Sequence, residues 1–426
     1  MHAASAEAVE AWDRLLDDYA AFRPTLPDRL RTLIEADPEM SLAHGVRAAL
    51  LMLSGKGSLR AAAVESATLA ERLSRGTSLR ERLHARAVLH WTRGEDAAAV
   101  RLWEEILAHA PTDLLALKLA QFAHFYAGDS RAMRRSSDRT VAAWDAEVPR
   151  YSYWLGARAF ALEESGALAD AEHAGRSAVA IEADDAWAIH AVAHCLETTG
   201  RPAEGIAWID GLADHWRDAG TMDGHLQWHR ALFVLETDTP AEVLAHFDAG
   251  MHPADSDEYL DLCNDIALLQ RLELLGVDVG DRWARLAAAA DLHRHDRMLP
   301  FCDVHWVLAL AAGGRLDAAD ALIDDLAERA RADSPEALSI REAALPLARG
   351  LRAWRKGDAG QAVDRLRACH DRIHRIGGSH AQRDLFEQIY AAAARAAGDR
   401  ALVAHLLRER RLQRPDDRLA AALDPA

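Results

Sequence analysis

Aromatic residues are scarce, 6% of 426 positions, and lysine is scarcer, at Lys56, Lys118 and Lys356 alone. A core for a chain of this length must therefore be filled by alanine and leucine, both strong helix formers. No stretch of eighteen or more uncharged apolar residues occurs, so no membrane-spanning helix is expected. The first nineteen residues carry Glu7, Glu10, Asp13, Asp17 and Asp18, where a secretory leader needs a basic and then an apolar segment. Cys195, Cys263, Cys302 and Cys369 are scattered, without the close pair that a redox or zinc-knuckle motif requires. Reduced thiols in a cytoplasmic protein fit this pattern. A net charge of −17 repels a phosphate backbone, which argues against a nucleic-acid partner. A phosphate-cradling glycine loop and a serine nucleophile elbow are also absent, so no cofactor is expected.

What is present is a period. Turn glycines fall at Gly94, Gly128, Gly166 and Gly200, with spacings of 34, 38 and 34 residues. A tetratricopeptide repeat (TPR), a pair of antiparallel helices, has a period of 34. Small residues stand five positions after three of these turns, at Ala99, Ala171 and Gly205, where a second helix must approach the first closely. Pro111 follows the helix after Gly94 and ends it, because proline lacks the interior N–H. Further turns are expected near Thr237 and Asp238 and at Gly314, Gly357 and Gly398, with connecting segments at 252–257 and 332–336. The expected fold is all-α: a TPR-like right-handed superhelix over residues 81–407. A helical capping region precedes it at 1–80, and a polar tail that frays follows at 408–426.

In such a repeat, one stripe of each first helix meets a ligand. Counting back 13, 10, 6 and 3 residues from Gly200 gives Trp187, His190, His194 and Glu197 on one face. The same offsets before Gly166 give Tyr153, Gly156, Phe160 and Glu163, and before Gly128 they give Leu115, Lys118, Phe122 and Phe125. The next segment, GHLQWHRALF, repeats the histidine spacing with His225 and His229 around Trp228. Residues at i and i+4 sit about 6 Å apart, so each pair is able to share a proton or a metal ion. Three readings stay open. One histidine, held by Glu197, acts as a general acid or base. The histidines bind a metal, although HAVAH lacks the glutamate that metalloprotease helices place after the first histidine, and the expectation is that no transition metal is tightly bound. Or they are interior groups hydrogen-bonded between helices. Elsewhere, Asp303 near His305 reads as a helix cap, and Ser379 with Gln382 as a capping box beside Arg383 and Asp384.

The segments DDAWAIHAVAHCLETTGR, GHLQWHRALF, FCDVHWVLALAAGGR and GGSHAQRDLFEQ together resemble the tetratricopeptide repeat protein 38 family, as does NDIALLQRLELLGVDVGDRW with Asp265 and Arg271. The similarity spans residues 84 to 398. It implies a TPR-like helical fold and supplies no reaction. It also implies that these polar motifs, distant in sequence, converge on one pocket. The residues it singles out are Trp187, His190, His194, Glu197, His225, Trp228, His229, Asp265, Asp303, His305, Arg383 and Asp384.

Two functions compete. In the first, a pocket of histidine, tryptophan and carboxylate binds a small molecule, with His190, His194, Glu197, His225 and His229 as acid–base groups for hydrolysis or elimination. In the second, an open groove takes a peptide of a partner protein. A peptide groove wants repeated Asn, Lys or Arg clamps, and of the three lysines only Lys118 lies on the stripe. The sequence favours the pocket.

Overall fold

The structure is a computed structural model that describes residues 2–237, 240–251, 253 and 256–423. Among the described residues every regular element is helical, and none is a strand. The turns form where the glycines are: Gly94, Gly128, Gly166 and Gly200 have φ of 77°, 69°, 84° and 66°. This left-handed region costs a residue with a Cβ roughly 1–2 kcal/mol. At each turn the next N–H donates to a carbonyl five residues back, at 2.9–3.0 Å: Glu95 to His90, Asp129 to His124, Ala167 to Leu162 and Arg201 to Leu196. That bond satisfies a carbonyl which the helix end would otherwise strand. The same turn occurs at Gly314, Gly357 and Gly398, and also at Gly276, which sequence spacing did not mark. The helix Thr221–Thr237 ends at the expected place, whereas Asp238 lies outside the described residues, as do His252, Ala254 and Asp255.

The chain forms two compact units: Met1–Phe125 with Asp129–Val192 and Leu212–Asp223, and Tyr126–Gly128 with Ala193–Gly211 and Gly224–Ala426. In the first, antiparallel pairs form between Ser41–Leu53 and Arg60–Leu73, Leu79–Thr92 and Asp96–His109, and Tyr151–Glu164 and Leu168–Ile181. The segment before residue 80 is thus helical, opened by Ser5, whose side chain accepts from the Ala8 N–H.

In the second unit, Tyr259–Leu274 pairs with Trp283–His293, Pro300–Ala312 with Leu316–Arg329, Leu345–Lys356 with Ala359–Arg367, and His380–Ala396 with Arg400–Gln413. First and second helices differ in burial. Every residue from Asp261 to Leu272 and from Pro300 to Ala311 is buried. The partner Leu316–Arg329 buries only Ala319, Leu322, Ile323 and Leu326, one face at helical spacing. First helices therefore form the inner layer and amphipathic second helices the outer one. Close approach uses the small residues: a Cβ at Gly205 would lie 2.3 Å from the Phe233 ring.

Two expectations need correction. Residues 408–423 do not fray: they continue the helix Arg400–Gln413 and then form Arg418–Leu423, whose Leu419, Ala420 and Leu423 are buried. The apolar face of that last helix is what holds it, and composition alone hid it. Asp303 is not a cap either, because Leu299 takes that position and Asp303 lies inside the helix, paired with Arg329. The capping box at Ser379 and Gln382 is formed as the sequence predicts.

Candidate functional site

The helix Ala186–Thr198 carries Trp187 and His190 in the first unit and His194 and Glu197 in the second. In the first unit, the Trp187 ring packs against Phe160 at 4.7 Å, Phe22 at 5.5 Å and Phe122 at 5.7 Å between centroids. His190 lies 5.1 Å from Trp187 and 5.4 Å from Phe160. Lys118 Nζ sits 4.6 Å from the centre of the Phe22 ring and donates to the Ala20 carbonyl at 3.2 Å. Burial pushes Lys118 down to about 8, against the pull of Asp185. The aromatic stripe expected to face a ligand thus packs on itself, and the gap among Lys118, Gln121, Phe122, Phe160 and Trp187 is only about 10 Å³.

In the second unit, His194 and Glu197 meet His225, Trp228 and His229 of the helix Thr221–Thr237. The His194 and His229 rings lie 4.6 Å apart, and His225 and His229 4.8 Å apart. His225 stacks on Trp228 with planes 12° apart. All three histidines are buried. Each of two is held through Nδ1: Asn264 Nδ2 donates to His225 Nδ1 at 2.9 Å, and His229 Nδ1 donates to Glu197 Oε2 at 3.2 Å. Burial, with help from His194, pushes His225 down to about 3. Burial, then His194, His225 and Arg271, pushes His229 well below the ordinary imidazole value. These two rings are neutral at pH 7, which weighs against either as a general base tuned near neutrality.

Beside the histidines lies a charged cavity of about 110 Å³, lined by Glu197, Arg271, Asp384, Gln388, Arg414 and Asp417 among others. Asp384 is chelated by Arg410 through both oxygens, the second bond at 2.9 Å, and receives Gln388 Nε2 at 2.8 Å. Burial alone would raise Asp384, but Arg410 and Arg414 outweigh it and hold the carboxyl below the carboxylate range. Glu197 moves the other way, because burial raises it more than Arg414, His194 and Arg271 lower it. Burial pushes Arg271 down to about 10. Its guanidinium lies 5.6 Å from the Trp228 ring and donates to the Ala381 carbonyl at 2.8 Å. The fully buried Trp228 Nε1 has no hydrogen-bond partner among the described residues.

Of the residues singled out by sequence, this centre gathers His194, Glu197, His225, Trp228, His229 and Asp384. It does not gather the rest of those in the second unit. Asp265 pairs with Arg285. Asp303, raised by burial to about 6 against Arg329, binds that arginine at 2.8 Å. His305 Nδ1 donates to the Phe301 carbonyl at 2.7 Å, and burial pushes it down to about 4. Arg383 donates to the carbonyl of Gly378, at the start of its own helix. Conversely, Asn264, Gln388, Arg410 and Arg414 escaped sequence reading. The last two are i and i+4, but they stand in the stretch read as a fraying tail.

No family model matches the chain. Among solved structures it is similar to the Naa15/Naa10 complex bound to HypK-THB, at 13% identity and a TM-score of 0.27, over 97% of this chain and 64% of that one. It thus spans under two thirds of that protein's length. It is also similar to the TPR domain of P58(IPK), at 12% identity and a TM-score of 0.23, over 81% of this chain and 96% of that one. At such overlap the likeness extends to neither binding nor activity. The assignment to the TPR-type all-α class is carried by the helix pairs and their shared turn. No described helix is long and apolar enough to cross a membrane.

Proposed function

We propose that this chain is a TPR-type binding protein whose second unit takes a small polar ligand in the cavity beside Glu197, Arg271, Asp384 and Arg414. One observation carries the reading: the first-helix residues that would line an open peptide groove are buried here, around a small charged cavity. Drug-sized ligands occupy roughly 300–1,000 Å³, so the ligand is smaller than that. Charges of both signs line the cavity, which suits a molecule carrying both an acidic and a basic group.

Hydrolysis or elimination gains no support from His225 and His229, whose basicity burial depresses, so we propose binding alone. The motifs shared with the tetratricopeptide repeat protein 38 family support a common site only where they meet, at His194, Glu197, His225, His229 and Asp384. Four cysteines without a disulfide support a reducing, cytoplasmic setting. A second reading, a scaffold for a partner protein, is favoured by the TPR-type architecture itself. Native mass spectrometry of the purified chain separates the two. The proposal expects a small-mass adduct in the wild type that is lost in Arg414→Gln. A bare chain that instead co-purifies with a protein would establish the scaffold.

A further inference from the structure

We propose that His194, His225 and His229 form a transition-metal site that accepts a borderline divalent ion such as zinc. Sequence spacing points away from a metal because HAVAH lacks the glutamate that metalloprotease helices place after the first histidine. Folding brings the pairs together: ring nitrogens of His194, His225 and His229, drawn from two helices, lie within 4.8 Å of one another. Zinc–nitrogen bonds of about 2.0–2.1 Å bring tetrahedral ligands to about 3.4 Å from each other, a closure that small ring rotations provide.

The surroundings match what metal-bound histidines require. A ligating imidazole is oriented through its other nitrogen by a carboxylate, carbonyl or amide. Glu197 Oε2 does this at His229 Nδ1, and Asn264 does it at His225 Nδ1. Both contacts assign Nε2 as the ligating atom. Binding at His225 Nε2 asks for a proton on Nδ1, so the Asn264 side-chain amide would present its oxygen there instead of its nitrogen. Three imidazole nitrogen donors select zinc-like ions over magnesium or calcium, which demand oxygen ligands. Arg271 opposes a cation and Glu197 offsets it, while the charge of Asp384 is already taken up by Arg410 and Arg414. None of the three histidines lines the ligand cavity, although Glu197 lines it and also holds His229.

The test uses the full chain, free of any affinity tag, stripped with a chelator and dialysed, then titrated with zinc and separately with cobalt(II). Elemental analysis is expected to find one zinc per chain, and cobalt to give the intense visible absorption of tetrahedral coordination. His194→Ala and His229→Ala should each abolish both. Glu197→Gln and Asn264→Ala should weaken zinc about 10–100-fold. His305→Ala, a buried histidine outside the cluster, should leave binding unchanged. A variant that fails to fold is set aside, and the wild-type cobalt spectrum then decides. An octahedral spectrum, or zinc retained equally by the folded histidine variants, overturns the proposal.

Discussion

Asp384 is bound by Arg410 through two oxygens and approached by Arg414 Nη1 at 3.4 Å, so its charge is satisfied in the folded chain and solvated only by water in the unfolded one. Its folded pKa lies below the unfolded value near 3.9, so the stability it contributes is complete above that value and fades as pH falls through the folded pKa. Wild-type melting temperature should therefore drop on acidification from pH 5 to pH 3. Asp384→Asn should cost about 1–3 kcal/mol at pH 7, because Arg410 loses its bidentate partner but keeps Asp417 at 2.7 Å, and should flatten that acid dependence. Thermal melts across the pH range check both. The sequence revealed half of this centre. Paired histidines at i and i+4 are visible to anyone counting residues, because helical spacing is local. Which arginine neutralises which carboxylate is a tertiary fact: Arg410 and Asp384 are 26 residues apart, and nothing in the sequence separates Arg410 from a solvated arginine on an outer helix.

Helices and turns were far more legible, since a left-handed turn leaves a glycine at a fixed place. The glycines nonetheless play two physical roles, and substitution tells them apart. At Gly166 φ is 84° and an added Cβ meets nothing within 4 Å, so Gly166→Ala should cost only backbone strain, about 1–2 kcal/mol. Gly205 sits inside the helix Pro202–Gly211, where the Cβ would collide with Phe233; Gly205→Ala should cost about 1–3 kcal/mol through overpacking, despite alanine's better helix propensity. Chemical denaturation of both variants measures the difference, and a stabilised Gly205→Ala would mean that this helix sits further from Phe233. The missed turn at Gly276 is explained by its sequel. The second helix begins only at Trp283, so Asp281 stands where the turns at Gly94, Gly166 and Gly200 are followed by a small residue. The final helix was missed because six residues, Arg418–Leu423, are too few for periodicity to rise above a polar background.

At the scale of the molecule, the two units handle the same stripe differently. The first fills it with its own rings around Trp187. The second keeps buried histidines and charges beside a cavity, an arrangement that costs desolvation energy and that apolar side chains often replace in proteins without loss of stability. Binding explains why it is kept. The most direct test is the stability of Glu197→Gln, a near-isosteric change at the wall shared by the cavity and the histidine cluster, measured by denaturation of ligand-stripped and as-purified protein. A binding centre predicts a change within about 1 kcal/mol when both proteins are stripped, with the extra stability of as-purified wild type absent from the variant. A loss of about 3–5 kcal/mol in the stripped variant, with no difference between stripped and as-purified wild type, would make the centre a structural ion pair and contradict the account.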